Sequence, residues 1–185
     1  MTALPLLPLD APFRLADGRD LAFAPLTPDA RPLIQRAMAG LSPLTSYRRF
    51  FSVRYQLSDE ELDELTHLDG DTRYAIGATV RDGDATSGVG IARWVRDRER
   101  PRFADLGLLV VDAFQGTGVG RTLMGRLAKA ALARGIDTFR GMVLVDNEPM
   151  LRLLRKLSPG LRLRRVDDYY EVEAPIVAGS MPADP

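Results

Sequence analysis

Apolar residues at Ala30, Leu33, Ile34, Ala37, Met38 and Leu41 recur at steps of three and four, the spacing that lines one face of a helix. Thr27 or Asp29 can cap its start, and Gly40 ends it. The stretch with Tyr47, Phe50 and Phe51 reads as a loop, after which LSDEELDELTHL makes a second short helix: Ser58 and Glu61 have capping-box spacing, and Leu62, Leu65 and Leu68 share a face. From Tyr74 the period changes. RYAIGATVR, GVGIARWVR and FADLGLLVV are short, apolar-rich and separated by Asp82-Gly83-Asp84 and by DRERPR, which predicts three successive antiparallel strands. Upstream, Asp17-Gly18 between two apolar stretches predicts a hairpin. Downstream, Val119, Leu123, Leu127 and Ala131 step by four, with Met124 and Ala128 beside them, up to a stop at Gly135. TFRGMVLV is a strand, Asn147 to Lys156 a helix with Met150, Leu154 and Leu157 on one side, and LRLRRV and YYEVEAP two final strands. This order defines an α+β domain with a mixed central sheet flanked by helices.

A chain of 185 residues fits one domain, expected over residues 13–177, with an irregular arm at 1–12 and a flexible tail at 178–185. The N-terminal stretch MTALPLLPLDAPF has no basic lead-in and three prolines and does not read as a secretion signal. Charges balance at 25 basic and 25 acidic residues, so no global field recruits nucleic acid or an acidic membrane, and any anion site must be local. Lys129 and Lys156 are the only lysines; a compositional bias toward arginine explains that more simply than an adaptation to phosphate. The absence of cysteine removes disulfides, thiolate metal sites and a cysteine nucleophile, which fits a cytoplasmic protein. His67 is the single histidine, at a helix end, and cannot hold a metal alone, so no metal is expected. No apolar run is long enough to span a bilayer.

The chemistry concentrates in VVDAFQGTGVGRTL, where Gly116, Gly118 and Gly120 alternate between an apolar strand and a helix. Glycines this dense let a ligand approach the backbone, and a helix beginning there offers unpaired amides to an anion. A nucleotide P-loop needs four residues between its glycines and then Lys and Ser or Thr; Gly116 and Gly120 enclose three and are followed by Arg121. A dinucleotide fingerprint places its third glycine one residue later and belongs to a first βαβ unit. What remains is either a bare strand-to-helix turn or Gln115-x-x-Gly118-x-Gly120 used as an anion cradle.

In that setting the chain resembles the GNAT superfamily of acyl-CoA-dependent N-acyltransferases, over roughly Phe13 to Pro175. LSPLTSYRRFF, THLDGD and ADLGLLVVDAFQGTGVGRTLMGRLAKAALARGI are similar, more narrowly, to the acetyltransferase domain of bacterial Pat-type protein lysine acetyltransferases. The resemblance implies acetyl-CoA as co-substrate, with Val110 and Val111 contacting pantetheine through their backbone. It places Gln115, Gly116, Thr117, Gly118, Val119, Gly120 and Arg121 around the pyrophosphate. Asn147 bonds pantetheine, caps its helix, or both. An alkylamine has a reference pKa of about 10.4 and must lose a proton before attack. The resemblance gives that role to a glutamate whose position holds Asp105, which is shorter and would need a relay water or a closer substrate. Equally, Asp105 can be a strand-edge carboxylate paired with an arginine of RDRERPR. The tyrosine that many members use to protonate the thiolate is replaced by Leu154.

Elsewhere, sheet packing is the simplest use of Trp94, Phe103, Tyr169 and Tyr170, while Arg152 and Arg155 either screen phosphates or face solvent. Tyr47, Arg48, Arg49, Phe50 and Phe51 lie where the resemblance puts the acceptor mouth, though an aromatic pair in a loop commonly anchors it to the core. The leading expectation is acetyl transfer to a primary amine, of a protein lysine or a small molecule, by direct transfer in a ternary complex, from a monomer or homodimer. A catalytically weak acyl-CoA-binding module is the rival that Asp105 and Leu154 motivate.

Overall fold

The structure, a computed structural model, describes residues 13–177, so the expected arm and tail lie outside the described residues. Eight strands form one sheet: β1 (Phe13–Arg14), β2 (Asp20–Pro25), β3 (Arg73–Asp82), β4 (Ala85–Arg96), β5 (Phe103–Val110), β6 (Thr138–Leu144), β7 (Arg162–Val166) and β8 (Tyr169–Pro175). Their order is β1-β2-β3-β4-β5-β6-β8-β7. Every neighbouring pair is antiparallel except β5 and β6. That exception follows from connectivity, because β5 reaches β6 through a helix, and a helical crossover returns the chain in the same direction.

The helices correct the sequence reading in two places. Helix α1 (Arg31–Ala39) is preceded by a 3₁₀ turn over Pro28–Ala30, and neither Thr27 nor Asp29 caps it with a side chain. The stretch expected as a loop is a helix, α2 (Pro43–Phe50): Ser42 Oγ accepts from the Thr45 amide at 3.2 Å, Pro43 sits in its first turn, and Phe51 ends it at φ 57°. Its buried residue is Ser46, whose hydroxyl donates to the Arg54 carbonyl at 2.8 Å and accepts from the Arg54 amide at 2.6 Å. A polar residue at the buried position hides the apolar period. Helix α3 (Asp59–Thr66) has the expected capping box, with Ser58 and Glu61 exchanging bonds of 3.2 and 2.8 Å.

Helices α4 (Val119–Leu132) and α5 (Glu148–Leu157) cover one face of the sheet, and α1 and α3 the other. The first core gathers Trp94, Leu123, Leu127, Phe139, Leu151, Leu154 and Val172; the second is smaller, around Leu26, Ile34, Met38, Leu62, Leu65 and Ala75. Each of the larger aliphatic and phenyl side chains among them contributes about 1.5–3 kcal/mol by leaving water. Trp94 packs as expected, fully buried and stacked on Tyr74 with ring centroids 5.8 Å apart. Tyr170 packs against the first core, and Phe103 lies under the Arg100 guanidinium, 4.7 Å from the ring centroid.

Candidate active site

Parallel pairing between β5 and β6 has only three registered partners, Phe103 with Thr138, Ala104 with Phe139 and Asp105 with Arg140. Beyond Asp105 the strands part. The gap is a cavity of about 440 Å³ whose walls include Leu108, Val110, Gly120, Met142, Asn147 and Leu154. The Val111 amide donates to the Val89 carbonyl at 2.9 Å, so antiparallel alternation turns the amides of Leu108 and Val110 the other way, toward the gap. Of the two residues expected to present backbone there, Val110 does so through its amide; Val111 has spent its own on β4.

Helix α4 begins at the mouth of this gap. Gly118 is its N-cap at φ 97° and supplies no side-chain cap, so the first-turn amides of Val119, Gly120 and Arg121 have no partner inside the helix. The left-handed backbone there favours glycine, and a Cβ at Gly118 would also meet the Phe13 ring at 3.0 Å. Gln115 Nε2 donates to the Val110 carbonyl and to Thr45 Oγ1, both at 3.0 Å, and Thr117 Oγ1 donates to the Phe114 carbonyl at 2.6 Å. These side chains shape the loop. Gly116, Gly118, Gly120, Arg121 and Asn147 line the cavity, and Asn147 also caps α5, Oδ1 accepting from the Met150 amide at 3.3 Å. Arg152 and Arg155 are exposed on α5, each 3.8 Å from Glu148.

A carboxylate that sequence reasoning missed binds this loop to α2. Asp112 accepts from the Ser42 amide at 3.0 Å, Ser42 Oγ at 2.6 Å and Thr45 Oγ1 at 2.7 Å. Burial pushes its pKa up, but these hydrogen bonds prevail and hold it below the ordinary carboxylate value. Arg48 Nη2 donates to the Asp146 carbonyl at 2.9 Å, so α2 is tied to both rims of the gap. Only the separation of about seventy residues hid the first tie, since Ser42 and Thr45 show no local pattern toward Asp112.

On the opposite face of β5 stand Asp105, Gly107, Leu109 and Val111, alternating with the residues that face α4. Asp105 is exposed, and its partner is Arg140 rather than an arginine of RDRERPR: Nε to Oδ1 is 2.7 Å. The reason is register, because Arg140 lies directly across the parallel pair, whereas Arg96 and Arg102 are held by Asp71 and Asp137. Arg140 also reaches Asp97 at 2.7 Å. A second cavity, about 260 Å³, opens on this face between β4, β5, α1 and α3, with Arg49, Arg93, Ile91, Gly107, Leu109 and Val111 in its walls. Asp105 lines neither cavity. Arg49, Gly107 and Leu109 belong to both, so the cavities meet there. Burial, with repulsion from Arg93, pushes Arg49 down to about 10; burial also lowers Arg93. His67 stays outside the site, exposed and 3.1 Å from Asp63.

This splayed parallel pair with a glycine loop and helix end at its mouth has a family counterpart. Residues 42–158 match the Acetyltransferase (GNAT) family, and the chain belongs to it; it is an acyltransferase. Among relatives, it is similar to acetyltransferase Pat of Mycolicibacterium smegmatis, 32% identical over 134 residues that are 68% of this chain and 38% of that protein. The chain thus spans well under half the length of that relative. The GNAT domain of Pat from S. lividans superposes with a TM-score of 0.79 at 26% identity, over 92% of this chain and 98% of the other. A cAMP-binding acyltransferase from Mycobacterium smegmatis superposes with a TM-score of 0.62 at 28% identity, over 95% of this chain and 50% of the other. The expected α+β fold is therefore the GNAT fold. Among the described residues no helix is long and apolar enough to cross a membrane, and no cluster of three metal-ligating side chains occurs.

Proposed function

We propose that the protein transfers acetyl from acetyl-CoA to a primary amine, by direct attack while donor and acceptor are both bound. The observation that carries this reading is the meeting of two cavities at Gly107 and Leu109, one entered beside the α4 N-terminus and the other from the α1–α3 side. A thioester lying in the first gap and an amine arriving through the second would come together across one strand.

In this reading the pyrophosphate rests on the amides of Val119, Gly120 and Arg121, with Gly116 and Gly118 leaving room and Gln115 and Thr117 holding the loop in shape. Anions are favoured there because unpaired amides and the helix dipole both point at them. Pantetheine runs along β5, bonding the Val110 backbone beside Val111 and reaching Asn147. The gap-facing amides are the donors that can stabilise a thioester oxygen as charge develops. Asp105 takes the proton. Two residues of strand separate it from Gly107, about 7 Å, so a relay water completes the path from an amine held at Gly107. Arg140, raised above its usual value by its hydrogen bond to Asp105, fixes the carboxylate in place. Leu154 is buried where a tyrosine acid would stand, and a thiol of reference pKa about 8.5 leaves as thiolate without one.

Calorimetry with acetyl-CoA and coenzyme A, followed by thiol release against a panel of amines and lysine peptides, tests the reading. Saturable binding and amine-dependent release are expected; binding without release from any acceptor would leave only an acyl-CoA-binding module, and no binding would end the proposal.

A further inference from the structure

We infer that the cavity on the α1–α3 side of β5 recognises a carboxylate on the acceptor, bound between the guanidinium groups of Arg49 and Arg93. The inference rests on the acetyl-transfer reading and names its acceptor chemistry. Arg49 lies across β5 at Gly107, where an added Cβ would stand 2.7 Å from Arg49 Nη2 and 3.2 Å from Arg93 Cγ. The missing side chain is what lets both arginines close over the strand. Among the described residues no carboxylate forms an ion pair with Arg49 or Arg93; Arg49 contacts the Phe50 ring, 4.9 Å from guanidinium carbon to centroid.

Two acidic residues line the same cavity and neither neutralises the pair. Glu61 is held by Arg54 through bonds of 2.5 and 2.7 Å and by its capping duty at Ser58. Glu64, exposed at the rim, and Asp105, already paired with Arg140, attract Arg93 only through space. Apart from Thr79 the remaining walls, including Leu33, Ile91, Leu109 and Val111, carry no polar side chain. Burial is the main reason Arg49 is lowered, and repulsion from Arg93 adds to it; an anion seated between the two guanidinium groups relieves that repulsion. A guanidinium fork matches the two oxygens of a carboxylate. The same charges disfavour acceptors that bring only further cations, such as polyamines and aminoglycosides, and they ease deprotonation of an ammonium placed beside them.

Thiol release is measured for acceptors matched in pairs that differ by one carboxylate: amino acids against their decarboxylated amines, and lysine peptides with and without a neighbouring glutamate. The carboxylated member of a pair should be favoured by about tenfold or more in kcat/KM, the scale of one charge-assisted hydrogen bond. In Arg93→Gln the preference should fall to within about twofold while acetyl-CoA affinity holds. A preference among free amino acids identifies a small acceptor, and one confined to peptides identifies an acidic side chain next to lysine. Equal rates within every pair, or a preference unmoved by Arg93→Gln, would overturn the carboxylate site and leave acetyl transfer standing. If no amine turns over, calorimetry with N-acetyl amino acids against their amides decides: binding of the acids alone, lost in Arg93→Gln, keeps the site, and its absence removes it.

Discussion

The two faces of β5 are built on different principles. Toward α4 the strand offers backbone: gap-facing amides, a carbonyl fixed by Gln115 and a helix end that lacks a side-chain cap. Toward α1 and α3 it offers side chains, with Asp105 tied to Arg140 and two arginines folded over Gly107. A backbone site suits a ligand that never changes, because side-chain identity matters little there provided the chain can turn. In the proposed reading the side-chain face is where the acceptor is chosen, and one substitution can re-aim it.

The largest effect that would separate the faces is expected from Asp105→Asn. With the proton acceptor gone, kcat should fall about 10²- to 10⁴-fold while acetyl-CoA binds as before; an unchanged rate would make Asp105 merely the partner of Arg140. Gly118→Trp works on the opposite face, forcing a large side chain into left-handed backbone against Phe13. Acetyl-CoA affinity should drop at least about a hundredfold by calorimetry, with circular dichroism unchanged if the damage is local.

Smaller still is Asp112→Asn, which loosens the tie between loop and α2. We expect about 1–2 kcal/mol less stability at neutral pH by denaturant titration, discounted because the carboxylate is exposed. The folded-state pKa of Asp112 is depressed, so its contribution is complete above the unfolded value of about 3.9 and fades as pH falls through the lower folded one. Variant and parent should therefore converge in acid, and a gap that persists below pH 3 would mean the bond geometry, not the charge, is what counts.

How legible each face was in the sequence follows from the same contrast. The backbone site announces itself because glycines at fixed spacing between a strand and a helix are a local pattern, and the capping box of α3 and the cap at Asn147 were equally local. The side-chain site depends on which residues the sheet register sets opposite one another, as with Arg140 and Asp105, and spacing along the chain carries no trace of that. Helix α2 escaped because its buried position is a serine. Arg49 drew notice only as part of a cluster at an acceptor mouth, since nothing in RRF tells a solvated arginine from one folded over Gly107, far along the chain on another element.

The three-residue length of the β5–β6 pairing also sets a rhythm in time. Strands in the middle of an eight-stranded sheet ordinarily give up their amide hydrogens last, at openings that approach global unfolding. Leu108 and Val110 sit at that middle with their amides facing the gap, so in deuterated buffer they should exchange within the range of loop amides while Ala92 and Trp94 on β4 stay protected. Saturating acetyl-CoA should slow them, and a deuterium map that left those two positions unchanged would place the donor elsewhere.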